Sequence, residues 1–161
     1  MLKPSPKVIA YLGVGSNLGD RLVQIESACD QLKQIEGIQF KRMAEVYETE
    51  PVGQQLSKSF LNTVFEIETT LKARELLVVL EKIEAKMGRK NKGEGLDREI
   101  DLDLLFYSDL SIYEQGLRVP HPRLHERYFV LKPFCDLTPD WVHPELGFPM
   151  SQLLSDLYKT V

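Results

Sequence analysis

Phe60-Leu61-Asn62-Thr63-Val64-Phe65-Glu66-Ile67-Glu68 is the stretch that decides the fold. Leu61, Thr63, Phe65 and Ile67 alternate with Asn62, Glu66 and Glu68, the period-two pattern of a half-buried strand. The period then changes. From about Lys72 to Met87 the apolar residues Leu76, Leu80, Ile83 and Met87 fall on one helical stripe, and Gly88 stops it. The same succession occurs upstream. Val8–Val14 is almost continuously apolar, as expected of a central strand covered on both faces. Leu22, Ile25, Cys29, Leu32 and Ile35 recur at helical spacing before Gly37. Phe40–Thr49 reads as one strand, with Phe40, Ala44 and Val46 on one face and Met43 and Tyr47 on the other. Ile100–Tyr107 reads as a further strand. Strand, helix, strand, strand, helix, strand is the order of a split βαβ unit.

The expected class is therefore α+β, a ferredoxin-like βαββαβ core. The remaining C-terminal residues add a hairpin around Tyr113–Val119, a Pro-His-Pro turn, a short helix near Leu124–Tyr128 and a last helix from about Met150. With these additions a three-layer α/β/α sandwich is expected, as one domain over residues 1–161.

Bulk properties narrow the function. The 161 residues are 43% hydrophobic and 27% charged, as in an ordinary globular protein. A net charge of −4 argues against broad nucleic-acid binding. Cys29 and Cys135 form no Cys-x-x-Cys and lie near no histidine cluster, so neither a disulfide framework nor a zinc site is expected. No apolar run approaches the ~20 residues of a membrane span. The N-terminal residues 1–7 hold two prolines and no apolar core, so a signal peptide is not expected and a cytoplasmic location is.

Chemistry gathers in four places. In Glu99-Ile100-Asp101-Leu102-Asp103-Leu104-Leu105-Phe106, strand alternation puts Ile100, Leu102, Leu104 and Phe106 on one face. Asp101 and Asp103 share the other, with Cα atoms ~6.5–7 Å apart. Two like charges so placed favour a cation between them, and Mg²⁺ takes such oxygen ligands together with substrate phosphates. Taken alone, the pair also reads as a solvated polar face. The loop before it carries Arg89, Lys90, Lys92 and Arg98 among glycines, which suits phosphate oxygens, although Glu94 and Asp97 dilute the charge. It is not a Walker motif. Arg118–Phe129 holds two histidines and three arginines around Pro120-His121-Pro122, which reads as a phosphate-facing turn or as a rigid surface one. Asn62 falls on the polar face of its strand, where an amide suits a heterocycle edge. Phe60 and Phe129 are suited to sandwich a flat ring, or to be ordinary core aromatics.

Together these motifs resemble one family. They are Gly15-Ser16-Asn17-Leu18-Gly19-Asp20, Tyr47-x-Thr49-x-Pro51-x-Gly53, Phe60-Leu61-Asn62, Glu84-x-x-x-Gly88-Arg89, Arg98-x-Ile100-Asp101-Leu102-Asp103 and the run Val119-Pro120-His121-Pro122-Arg123-x-His125-Glu126-Arg127-x-Phe129. In that order they are similar to the 6-hydroxymethyl-7,8-dihydropterin pyrophosphokinases of folate biosynthesis. The resemblance implies transfer of the pyrophosphoryl group of ATP to the pterin hydroxymethyl group, leaving AMP. It implies two Mg²⁺ ions on Asp101 and Asp103, and catalytic roles for Arg89, Arg98 and both aspartates. It implies ATP contacts from Glu84, Arg89, Arg98, His121 and Arg127, and a pterin pocket lined by Thr49, Val52, Phe60, Asn62 and Phe129. A monomer without nucleic-acid or membrane partners, and without a second fused folate enzyme, is expected. The run Gly95-Leu96-Asp97-Arg98 departs from the family, which often has Trp and Pro before that arginine.

Two other classes are distinguishable. A non-catalytic ferredoxin-like binding module would bind ATP without metal, and an RNA-binding form would need exposed aromatics and a basic surface. A kinase acting on another heterocycle would release ADP rather than AMP.

Overall fold

The computed structural model describes residues 5–50, 58–88 and 98–160. Strand β1 (Val8–Ser16) leads into helix α1 (Arg21–Lys33), and β2 (Ile38–Met43), β3 (Tyr47–Thr49) and β4 (Phe60–Thr69) follow. Helix α2 (Ala73–Lys86) then precedes β5 (Asp101–Tyr107). The sheet order is β2-β4-β1-β5, every neighbour antiparallel, with β3 also pairing to β4. This is the expected ferredoxin-like arrangement: β4 separates β1 from β2, and β1 separates β4 from β5.

Local chemistry starts and stops the helices. Asp20 caps α1 by accepting from Val23 N at 3.3 Å. Glu75 in the first turn of α2 accepts from Lys72 N at 2.8 Å. Gly37 and Gly88 follow the two helices at φ +90° and +94°, conformations that favour glycine.

Two cores flank the sheet. Helices α1 and α2 cover one face, where Ile25, Leu32, Leu76 and Leu80 pack on Leu12, Phe65 and Leu104. On the other face lie α3 (Tyr128–Leu137) and α4 (Met150–Lys159), with Leu131, Phe134, Met150 and Leu153 packed on Tyr11, Val64 and Phe106. The hairpin appears as β6 (Ile112–Glu114) and β7 (Leu117–Val119). The three-layer α/β/α sandwich is therefore present.

Four local expectations are corrected. The single strand Phe40–Thr49 is two strands. Its register shifts between Phe40 and Arg42, and residues 44–46 break the ladder. Phe40 and Val46 accordingly pack on the first core while Ala44 belongs to the second. Second, β4 is not half-buried: Val64 and Glu66 are buried along with Phe65 and Ile67, because helices cover both faces. Third, the apolar face of β5 is not continuous. Leu104 opposes Leu12 and Phe106 opposes Tyr11, so Leu105 is an extra residue and the strand bulges. Ile100, Leu102 and Leu104 stay with the first core, while Leu105 and Phe106 both enter the second. Fourth, the short helix near Leu124–Tyr128 is a 3-10 turn, Leu124–Glu126, and a longer helix, α3, continues through Pro133.

Helix α3 is tied to the sheet by a polar cluster. Arg42 Nη1 donates to Leu137 O at 3.1 Å, and Nη2 to Glu66 Oε1 at 2.5 Å and Thr138 Oγ1 at 3.0 Å. Tyr11 OH donates to the same Glu66 oxygen at 3.0 Å. These bonds satisfy a carbonyl at the C-terminal end of α3 and tie that end to β2 and β4.

Candidate functional site

A cavity of about 330 Å³ opens on the α3 side of the sheet, beyond the two cores. Its floor comes from three strands. Gly15 of β1 is paired with Asn62 of β4 on one side and Asp101 of β5 on the other, and Gly13 is paired with Asp103. Alternation turns Asn62, Asp101 and Asp103 to the same face, and two glycines between them leave that face recessed. Thr49 and Phe60 line one wall. The 3-10 turn and the start of α3 supply Arg123, Glu126, Arg127, Phe129 and Val130 on the other.

Several pocket side chains are held by identifiable contacts. Asn62 is 6% exposed, and its Nδ2 donates to Thr49 Oγ1 at 2.7 Å. Arg98 Nη1 donates to Asp101 Oδ2 at 3.0 Å, and its guanidinium carbon lies 5.4 Å from the centre of the Phe60 ring. Arg127 stands in the same relation to Phe129, at 5.6 Å. Each of the two candidate ring walls therefore carries an arginine, which places cationic groups beside aromatic faces.

Ser16 and Asn17, where β1 ends, belong to the motif of residues 15–20 and have no role that the sequence reveals. Asn17 is fully buried. Its N donates to Arg98 O at 3.1 Å, its Oδ1 accepts from Arg98 N at 2.6 Å, and its Nδ2 donates to Lys58 O at 3.2 Å. Ser16 Oγ donates to Glu99 O at 2.6 Å. The pair fastens the segment that carries Arg98 and Asp101 to the segment that carries Phe60 and Asn62. The available signal was a polar Ser-Asn pair closing an apolar strand before a helix cap.

Among the described residues, Thr49, Phe60, Asn62, Arg98, Asp101, Asp103, Arg127 and Phe129 share the cavity lining. Arg123 and Glu126, from the expected phosphate-facing turn, also line it without an individual role in the sequence reading, as do Glu50 and the two glycines. His121 and Glu84 are not in that lining. His121 N donates to Leu105 O at 3.1 Å, and its Nδ1 accepts from Arg123 N at 3.3 Å, so it orders the turn that presents Arg123. Glu84 is buried on α2 and accepts from Leu102 N at 2.9 Å, on the edge strand. Val52 and Arg89, with the loop between Gly88 and Arg98, lie outside the described residues.

Asp101 and Asp103 offer oxygen alone, the donor that Mg²⁺ takes. Among the described residues no three His, Cys, Asp or Glu side chains gather as a closed metal cage. Two carboxylates on one strand face fit an ion that takes oxygen ligands and completes its shell with water and substrate phosphates, as Mg²⁺ does. Also among the described residues, no helix is long and apolar enough to cross a membrane.

The fold and the recessed, arginine-rimmed acidic face define an elaborated ferredoxin-like α+β protein with a cavity on its added-helix side. Solved structures share that fold. A crystal structure of an HPPK-DHPS protein in complex with substrates superposes with TM-score 0.78 at 15% identity, covering 96% of this chain and 44% of that one. Plasmodium falciparum HPPK-DHPS with pterin and p-hydroxybenzoate gives 0.77 at 18% identity, covering 97% and 44%. Sequence similarity is closer. Residues 11–139 match the model of the family 7,8-dihydro-6-hydroxymethylpterin-pyrophosphokinase (HPPK). The chain is 37% identical over 142 residues to the 2-amino-4-hydroxy-6-hydroxymethyldihydropteridine pyrophosphokinase of Aquifex aeolicus, covering 88% of each. The corresponding Bacillus subtilis protein is 39% identical over 129 residues, covering 80% of this chain and 77% of its own. The folic acid synthesis protein fol1 of Schizosaccharomyces pombe is 42% identical over 149 residues, and there the chain spans only 20% of the relative's length. The chain belongs to the HPPK family.

Proposed function

We propose that this chain transfers the pyrophosphoryl group of ATP to the hydroxymethyl group of 6-hydroxymethyl-7,8-dihydropterin, giving AMP and the pterin diphosphate, a step of folate biosynthesis. Family membership supports the reaction. The single observation that carries it to this site is the shared lining: a buried amide, two phenyl rings, the Asp101 and Asp103 carboxylates and three arginines face one cavity.

The hydroxymethyl oxygen attacks Pβ of ATP, the bond from Pβ to the oxygen bridging to Pα breaks, and AMP leaves with that oxygen. The hydroxyl proton passes to solvent. Such transfer needs positioning and charge neutralisation more than covalent help. Asp101 and Asp103 are the residues that would hold Mg²⁺, two ions in this reading; when bound, the metal neutralises phosphate charge and polarises the attacked phosphorus. Arg98 and Arg127 bind phosphate oxygens, with Arg123 at the rim. Arg98 also pairs with Asp101, so one guanidinium orients a carboxylate on one side and faces the ring of Phe60 on the other. Asn62, held by Thr49, reads the polar edge of the pterin. Phe60 and Phe129 cover its faces and exclude water from the reacting oxygen. Val52 and Arg89 join the pterin and ATP sets in this reading; Glu84 supports the ATP site through Leu102 N of the aspartate strand, and His121 through the turn that presents Arg123. The chain works as one monomeric domain of the cytoplasm.

The test is a product assay with purified protein, MgATP and the pterin. Pterin-dependent AMP formation is expected. ADP formation, or ATP turnover indifferent to the pterin, would sink the proposal.

A further inference from the structure

The pocket residues on β3 and β4 are held in place from the opposite face of the sheet. Arg21 is the first residue of α1, with its side chain 28% exposed, and it is absent from the cavity lining. Its Nη2 lies 2.7 Å from Glu48 Oε2. Its Nη1 donates to Ser59 O at 3.0 Å and to Ser59 Oγ at 2.9 Å. Ser59 Oγ closes the cluster by donating to Glu48 Oε2 at 3.1 Å. One guanidinium thus joins β3 to the residue just before β4.

The neighbours of those two anchors are pocket residues. Glu48 precedes Thr49 and Ser59 precedes Phe60, and Thr49 and Phe60 are cross-strand partners. Strand β3 has only three residues and, among the described residues, pairs with β4 alone. A strand this short is weakly held by its own ladder, so a cross-link beside it governs how closely Thr49 approaches Asn62. An exposed ion pair alone is worth little. Here the planar fork serves three acceptors on two segments, a geometry that a point charge does not reproduce. Hydrogen bonds from Arg21 and Ser59 hold the Glu48 carboxyl below its ordinary range, consistent with the same cluster.

We propose that Arg21 is a positioning residue for the pterin pocket, setting through Glu48 and Ser59 the spacing of Thr49, Phe60 and Asn62 without touching either substrate. The inference rests on the pterin reading given above.

The test uses Arg21→Lys, which keeps the charge and the aliphatic stem but removes the fork, and Glu48→Gln. Binding of 6-hydroxymethyl-7,8-dihydropterin is measured by calorimetry on the full chain with Mg²⁺ and an α,β-methylene ATP analogue, which cannot release the pyrophosphoryl group. For Arg21→Lys the pterin Kd is expected to rise about tenfold, with the Kd of the ATP analogue within about twofold of wild type. KM for the pterin should rise while kcat stays within about threefold. Combining the two substitutions should cost less than the product of the single losses, because they break one cluster. Wild-type pterin affinity in Arg21→Lys overturns the inference. Equal weakening of both ligands with a lowered melting temperature also overturns it, in favour of a general structural role. If Arg21→Lys does not fold, Glu48→Gln decides alone, by the same selective loss or its absence. A wild-type chain that binds the ATP analogue but no pterin removes the functional reading itself; a variant at wild-type affinity removes only the role of Arg21.

Discussion

A Cβ atom placed on Gly15 would stand 3.1 Å from Oδ1 of Asn62. Glycine is required here for closeness, since its backbone is ordinary strand. The same added atom would lie 3.4 Å from Cδ1 of Phe60, an ordinary contact, so the Asn62 amide is the pocket group that would have to give by a few tenths of an ångström. Gly15→Ala should therefore fold with a near-normal melting temperature and bind the pterin about tenfold more weakly. Calorimetry and a thermal melt check this; unchanged pterin affinity would show that the recess beside Gly15 is not where the ligand sits.

Replacing either Asp101 or Asp103 by alanine should lower kcat by about a hundredfold or more, since the charge neutralised there develops in the transition state. Asp101 pairs with Arg98, whose side chain is 11% exposed, so Asp101→Ala should also cost about 1–3 kcal/mol of stability. Steady-state kinetics and urea unfolding separate the two effects. Near-normal turnover in either variant contradicts the metal role.

Thr49→Val removes the acceptor of the buried Asn62 amide, and valine keeps the shape. An unsatisfied buried donor costs about 1–3 kcal/mol, so stability, pterin affinity or both should fall, while Thr49→Ser should behave as wild type. Paired unfolding curves and pterin titrations of the two variants test this. Equal behaviour of serine and valine would remove the hydrogen bond from the account.

Acid sensitivity should have one source outside the cavity lining. His143 is buried, and its Nδ1 accepts from Glu145 N at 3.1 Å and Leu146 N at 3.0 Å. Burial lowers its pKa, opposed by nearby Glu145 and reinforced by His125. The unfolded chain therefore takes up this proton at a higher pH than the folded one. The stabilisation is complete above the ordinary histidine value and is lost as pH falls from there towards the lowered folded value, by at most ~1.4 kcal/mol per pH unit. Urea unfolding between neutral and mildly acid pH should show that slope in the wild type and a flatter one in His143→Asn. Identical slopes would assign the sensitivity to other groups.

Much of this site was legible because strand alternation is local. The face shared by Asp101 and Asp103, and the placing of Asn62 opposite Leu61, follow from a two-residue period that needs no partner. Helices α1 and α2 were legible for the same reason, from a stripe and a terminating glycine. Helix α3 was not, since Pro133 looks like a stop. Its missing N–H and ring are accommodated where buried neighbours such as Leu131 and Phe134 hold the helix on the sheet. The split of Phe40–Thr49 and the bulge at Leu105 were equally hidden, because an extra residue in a strand is defined only against its partner strand.

By itself, then, the sequence determined the order of elements, the faces of the strands and the family to which the motifs point. Tertiary structure alone decided which arginine meets which ring, that Glu84 serves Leu102 N rather than the cavity wall, and that Arg21 reaches both Glu48 and Ser59. Periodicity is encoded within a few residues of chain, whereas these pairings join residues tens of positions apart and exist only once packing has set the register between strands.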